Sequence, residues 1–286
     1  MRSWSGCLCG ASVAIAVAMT IAACSAGDTP NVAAGAGDAG ASGIDAGNTD
    51  ARSSSNTDAR PGDEAGPLGC TSPDVLVCDA FDTPAVDAAR WVTETQNGAA
   101  TIDDARAFRG GRALHVTLDA GGGRALLRAR DRVTVTGEHV WGRAHMFVPA
   151  SAASSLTSHS NVVAFGGKNT IGATAVHAAA IGASSFFGLY FQDEPMIDES
   201  SFVLHPEEPT TKVPLDRWFC LEWELDGVGK AFRLYLDGAL IPSSVIEDRD
   251  PPGEADVILG AEFDLAEAWL DEVAVARRRA GCLTKD

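Results

Sequence analysis

The chain has 286 residues, with 39 Asp and Glu against 22 Lys and Arg, giving a formal net charge of −17. Such a surface repels a phosphate backbone over most of its area, which excludes a general nucleic-acid binder. Apolar residues make up 45% of the chain but aromatics only 7%, and the 30 glycines indicate an ordered part diluted by a low-complexity one.

Arg2 is the only charge before Ala11 to Ala23, an apolar run that suits the core of an export signal and is too short to span a membrane as a helix. The run ends in Ile21-Ala22-Ala23-Cys24. This resembles the lipobox of bacterial lipoproteins: a branched residue, two small residues, then the cysteine that receives lipid. The resemblance implies that residues 1–23 are a lipoprotein signal peptide and that Cys24 is the lipidated start of the mature chain. Acyl chains hold such a protein on a membrane by about 0.8 kcal/mol per buried methylene, without a transmembrane helix.

Residues 24–69 continue as Ala, Gly, Ser, Asp, Thr and Pro with hardly a branched or aromatic side chain. They cannot bury enough surface to offset the entropy of ordering, so a disordered tether is expected. Its acids, Asp28, Asp38, Asp45, Asp50, Asp58, Asp63 and Glu64, outweigh Arg52 and Arg60, and self-repulsion keeps it extended. Gly35-Ala36-Gly37-Asp38-Ala39-Gly40 matches a dinucleotide G-x-G-x-x-G in letters, but no strand precedes it and no helix follows.

Residues 70–286 are long enough for one domain with one core. Of the 7 cysteines, Cys7 and Cys9 fall in the signal and Cys24 takes lipid, which leaves Cys70, Cys78, Cys220 and Cys282. In an exported chain this even set predicts two disulfides, with three connectivities open; Cys70 with Cys78 closes a short loop and leaves Cys220 with Cys282. No pair has the close spacing that zinc sites favour.

Short apolar or alternating runs recur at Val75–Phe81, Ala113–Leu118, Val133–Thr136, Val140–Val148, Asn161–Phe165, Ala173–Ile181 and Phe186–Gln192. They resume at Trp218–Leu225, Phe232–Leu236, Val257–Leu259 and Trp269–Ala276, with no long amphipathic helix between them. The domain is therefore all-β, and strands of this number and spacing pack as a two-sheet antiparallel sandwich or jelly roll. Asp237-Gly238 supplies a tight hairpin turn. Alternation turns Phe219, Leu221, Trp223 and Leu225 inward and Glu222 and Glu224 outward. By the same rule Trp141, Arg143, His145, His177, Tyr190, Gln192, Arg233 and Tyr235 face out.

Three stretches taken together carry a family resemblance: Val140-Trp141-Gly142-Arg143-Ala144-His145-Met146-Phe147-Val148-Pro149, Trp218-Phe219-Cys220-Leu221-Glu222-Trp223 with Leu234-Tyr235-Leu236-Asp237-Gly238, and Trp269-Leu270-Asp271-Glu272-Val273 with Gly281-Cys282. The chain resembles exported bacterial proteins with a concanavalin A-like lectin/glucanase jelly roll, near the Cip1-like and glucuronan-lyase branch. That resemblance implies a structural calcium between first and last strands, with Asp79 and Asp271 in the matching places and carbonyls from Arg109-Gly110-Gly111. Glucanases of this fold carry E-x-D-x-x-E, and Glu222-Trp223-Glu224-Leu225-Asp226-Gly227 lacks the third acid, so hydrolysis ranks low.

Aromatic and planar polar groups on one face suit a glycan, and Trp141, Arg143, His145, Tyr190, Gln192, Glu222, Glu224 and Tyr235 are the candidate carbohydrate-binding residues. The alternative is a polysaccharide lyase: Arg143 or Gln192 neutralises a uronate, His145 or His177 takes the α-proton, and Tyr190 protonates the leaving oxygen. A non-catalytic adhesion module is the third reading, in which Glu222 and Glu224 merely pair with Arg233. The expected protein is a monomeric, exported, membrane-anchored lipoprotein that binds polysaccharide or a cell-surface glycan and touches the membrane only through its anchor.

Overall fold

The computed structural model describes residues 66–153, 159–167, 169–178, 184–193, 202–205 and 211–285. The expected signal peptide, Cys24 and all but the last residues of the tether lie outside them. In chain order the strands are β1 (Val75–Asp79), β2 (Trp91–Gln96), β3 (Gly98–Asp103), β4 (Ala113–Leu118), β5 (Gly123–Ala129), β6 (Val133–Thr134) and β7 (His139–Phe147). One helical turn, α1 (Ala150–Ala153), precedes β8 (His159–Gly166), β9 (Asn169–Ala178), β10 (Ser184–Asp193) and β11 (Phe202–His205). Then come β12 (Trp218–Asp226), β13 (Ala231–Leu236), β14 (Ala239–Ile246), β15 (Glu254–Phe263) and β16 (Glu267–Ala276).

These strands form two antiparallel sheets. The first runs β14-β13-β12-β7-β16-β4-β3 with β1 also on β16; the second runs β11-β10-β9-β8-β15-β5-β2 with β6 on β15. The expected all-β sandwich is what forms, and the chain joins distant segments in both sheets, as a jelly roll does. β2, β3 and β5 were not among the expected runs, because their apolar residues are small or interrupted by charge.

Alternation explains the core. Phe219, Leu221, Trp223 and Leu225 on β12, and Phe232 and Leu234 on β13, are buried against Val257, Leu259 and Phe165 of the second sheet. Trp223 lies across its β7 partner Gly142, where a Cβ would meet indole Cε2 at 2.0 Å, so this position accepts no side chain. At the β13–β14 hairpin Asp237 and Gly238 have φ of 49° and 84°, the paired left-handed geometry that matches strand twist.

Both expected disulfides form, Cys70–Cys78 and Cys220–Cys282. The second ties the chain end to β12, so the C-terminal segment lies over the outer face of the first sheet. No helix among the described residues is long and apolar enough to cross a membrane.

Candidate functional site

The outward residues expected to form one hollow divide between the two sheets. Trp141, Arg143 and His145 on β7 register with Glu224, Glu222 and Cys220 on β12, and Glu222 and Glu224 register with Tyr235 and Arg233 on β13. These groups do meet on one face, but the face is roofed. Arg143 is fully buried and donates through Nη1 to the Gly281 carbonyl at 2.8 Å and through Nε to that of Glu272 at 3.1 Å. Desolvation lowers its pKa below the usual guanidinium range. Glu222 accepts the Gly281 N–H at 2.9 Å and a guanidinium hydrogen of Arg279 at 3.0 Å. His145 stacks on Phe108 with ring centroids 3.7 Å apart and accepts the Leu283 N–H at Nε2. Burial, helped by the Arg143 charge, pushes this imidazole down to about 3. Trp141 and Tyr235 pack at 5.4 Å, with the Arg279 guanidinium 5.5 and 4.8 Å from their ring centres.

This corrects the expectation of an open hollow: Arg143, His145, Glu222 and Glu224 point outward from the sandwich, yet all four are buried and the chain's own polar groups take most of their hydrogen bonds, with Arg143 Nη2 and His145 Nδ1 buried without a partner. Strand parity says which side of a sheet a residue leaves from, but not what covers that side. His177, Tyr190 and Gln192 stand on the second sheet, in β9 and β10. His177 pairs with Ser185, in the alternate register from Tyr190 and Gln192. The set expected for elimination chemistry is therefore split across two sheets with the core between them.

The second sheet carries a different constellation, in a pocket of about 230 Å³. Arg124 on β5 pairs with Glu262 on β15, which pairs with Asn161 on β8. Four residues along, Arg128 pairs with Ile258, Ile258 with Ala164, Ala164 with Gly172, and Gly172 with Tyr190. The next row runs from Asp256 through Gly166 and Thr170 to Gln192. Tyr190 and Gln192 thus hold register positions in rows that begin at this pocket. A bulge in β15 between Leu259 and Glu262 interrupts the ladder beside it, a common device for re-aiming side chains near a site.

The pocket has an apolar floor of Leu126, Val163 and Ile258 and a polar wall. Arg124 Nη2 lies 3.2 Å from Glu262 Oε1, and Asn161 donates to Glu262 Oε2 at 3.2 Å. Asn161 Oδ1 is buried without a hydrogen-bond partner. Arg128 donates to Glu94 at 2.7 Å and to Asp256 at 2.9 Å; these bonds raise its pKa, and its guanidinium holds Glu94 below the usual carboxylate range. At the rim Phe263 is 42% exposed and has φ of 74°, a left-handed conformation rare for a bulky residue and found mostly where function retains strain. Sequence reading missed Arg124 and Arg128; the available sign was their two-residue alternation with Ala125, Leu127 and Ala129.

Calcium on Asp79 and Asp271 does not fit these residues. Asp79 accepts the Phe81 N–H at 2.9 Å and the Trp91 indole N–H at 2.7 Å, with Arg90 3.7 Å away. Asp271 accepts N–H groups of Phe108, Arg109 and Glu272. Calcium takes six to eight oxygens, whereas here donors face every carboxylate oxygen. Among the described residues, groups of three metal-capable side chains gather elsewhere: Cys220 with Glu222 and Cys282, whose sulfurs are spent in a disulfide, and His139 with Glu224 and Asp226.

The two-sheet antiparallel topology is that of a concanavalin A-like jelly-roll fold. The cellulose-induced protein Cip1 is similar over 73% of this chain and 100% of its own, at 18% identity and a TM-score of 0.54. An endo-1,3-β-glucanase from Streptomyces sioyaensis matches 74% of this chain and 98% of its own at 12% identity and a TM-score of 0.49. Alginate lyase vAL-1 from a Chlorella virus matches 71% of this chain and 100% of its own at 9% identity and a TM-score of 0.49. No protein-family model and no curated protein sequence matches the chain.

Proposed function

We propose that the protein is an exported, lipid-anchored polysaccharide-binding protein whose binding face is the pocket side of the second sheet. One observation carries this reading. The amide of Asn161 is held by Glu262, while its carbonyl oxygen is buried without a donor, a fixed acceptor suited to a sugar hydroxyl. Around it Arg124 and Glu262 offer planar hydrogen-bonding groups, and the Phe263 ring offers a surface for a sugar C–H face. The volume is below the roughly 300–1,000 Å³ of pockets for drug-sized ligands, which suits one unit of a longer chain passing across the sheet. Tyr190 and Gln192 extend the same rows and are assigned to the neighbouring subsite. Arg143 and His145 are buried beneath the C-terminal segment, which favours binding over β-elimination by those two residues.

Cys24 holds the protein on its membrane and residues 25–69 give the domain reach. A glycan array probed with the full chain, followed by Arg124→Ala and Phe263→Ala, tests the binding face. Loss of the captured glycan in both variants is expected; no captured glycan, or capture indifferent to both changes, removes the proposal. Fatty-acid labelling abolished by Cys24→Ala tests the anchor.

A further inference from the structure

At the edge of the roofed face, away from the pocket, His139 stands beside two carboxylates. His139 begins β7 and registers with Asp226 at the end of β12, while Glu224 is two residues back on the same face. The ligand atoms of these three side chains lie within 4.8 Å of one another. His139 Nε2 is 3.4 Å from Asp226 Oδ1 and Nδ1 is 3.7 Å from Glu224 Oε1. Nδ1 is buried and has no hydrogen-bond partner.

His115 provides the contrast on the same sheet. Its Nδ1 lies 2.6 Å from Asp103 and its Nε2 2.9 Å from Glu267, so both nitrogens are used at hydrogen-bond distance. The carboxylates around His139 approach it closely but too loosely to satisfy it.

We propose that His139, Glu224 and Asp226 bind a divalent transition metal of the zinc type. The imidazole ligates through Nδ1, the nitrogen left without a partner, which stands 3.7 Å from Glu224 Oε1, close to the roughly 3.4 Å between two ligands held at about 2.0–2.1 Å in a tetrahedral site. One imidazole with two carboxylates is a ligand set that zinc accepts, and three protein ligands leave a fourth position for water. Asp226 is preset by the Val228 and Gly229 N–H groups, which bond its Oδ1 at 3.2 and 2.7 Å. Tyr235 donates to Glu224 Oε2 at 3.1 Å and orients it, as outer-shell groups do around metal ligands. Arg233, 3.0 Å from Glu224 and 3.9 Å from Asp226, is a competing cation for the two carboxylates. One guanidinium against two carboxylates leaves negative charge for the metal, and its presence moderates affinity. The ion ties β7 to β12 at the end of the sheet where their register closes.

The test is calorimetric titration of Zn²⁺ into the untagged full chain, compared with His139→Ala, His115→Ala and Arg233→Gln. Cys7, Cys9 and Cys24 are common to all four proteins, so differences report this site. The wild type is expected to take up one Zn²⁺ more than His139→Ala. Zinc should also raise the wild-type melting temperature by about a few degrees while leaving that of His139→Ala unchanged. His115→Ala should retain the uptake, and Arg233→Gln, which removes the competing cation, should tighten it about tenfold. Equal uptake by wild type and His139→Ala, or loss of the same uptake in His115→Ala, overturns the assignment.

Discussion

Asn161 donates one amide hydrogen to Glu262 Oε2 at 3.2 Å and keeps its own Oδ1 buried with nothing to accept from. A carbonyl oxygen left in that state costs about 1–3 kcal/mol, an expense that a bound hydroxyl recovers. Asn161→Ala should therefore weaken glycan affinity about tenfold while leaving the melting temperature unchanged or slightly raised. Affinity electrophoresis against the captured polysaccharide reads the first effect and thermal denaturation the second.

Gly142 and Trp223 share one volume of the core. Placing a methyl at position 142 forces the indole off its present position, and overpacking of this kind costs about 1–3 kcal/mol. Gly142→Ala should lower the unfolding free energy by that amount, read as a lower urea midpoint, without changing glycan specificity. An unchanged midpoint would mean that Trp223 has a second position of equal energy.

Asp271 and His145 make opposite contributions to pH dependence. Burial pushes the Asp271 carboxyl from 3.8 up to about 7, against three N–H donors, so its stabilising contribution is complete below 3.8 and is lost as pH rises toward 7. His145 is depressed from 6.5 to about 3, so its contribution is complete above 6.5 and is lost as pH falls. Between pH 3.8 and 6.5 the two slopes cancel, each worth up to about 1.4 kcal/mol per pH unit. Relative to wild type, Asp271→Asn should lose stability on acidification and His145→Phe should gain it. Urea unfolding at the two ends of this window checks both signs.

Cys220–Cys282 closes a long loop, with a sequence separation of 62. Replacing both cysteines by alanine should cost about 4 kcal/mol, the loop-closure entropy returned to the unfolded chain. It should also open the segment that covers Arg143 and Glu222 to proteolysis. A variant as stable and as protease-resistant as the wild type would show that Arg143, Glu222 and Arg279 hold the segment unaided.

Much of the fold was legible because alternation is a local property. Phe219, Leu221, Trp223 and Leu225 announce a buried face at a period of two, Asp237-Gly238 announces its hairpin, and four cysteines in an exported domain announce two bridges. β5 was not legible for the same reason: Arg124 and Arg128 break the apolar run, and only pairing with β2 and β15 makes Gly123–Ala129 a strand. The pocket went unseen with it.

Residue pattern alone was enough for the class of fold, the inward half of most strands, the turn chemistry and the cysteines available for bridging. The tertiary structure alone decided which outward residues share a sheet and which of them meet solvent. Tyr190 and Arg143 have the same parity, yet they belong to different layers, because sheet membership follows from pairings between segments far apart in the chain. Arg143 is sealed because a segment more than a hundred residues later returns over it and takes hydrogen bonds from its Nη1, whereas no segment among the described residues has taken the carbonyl oxygen of Asn161.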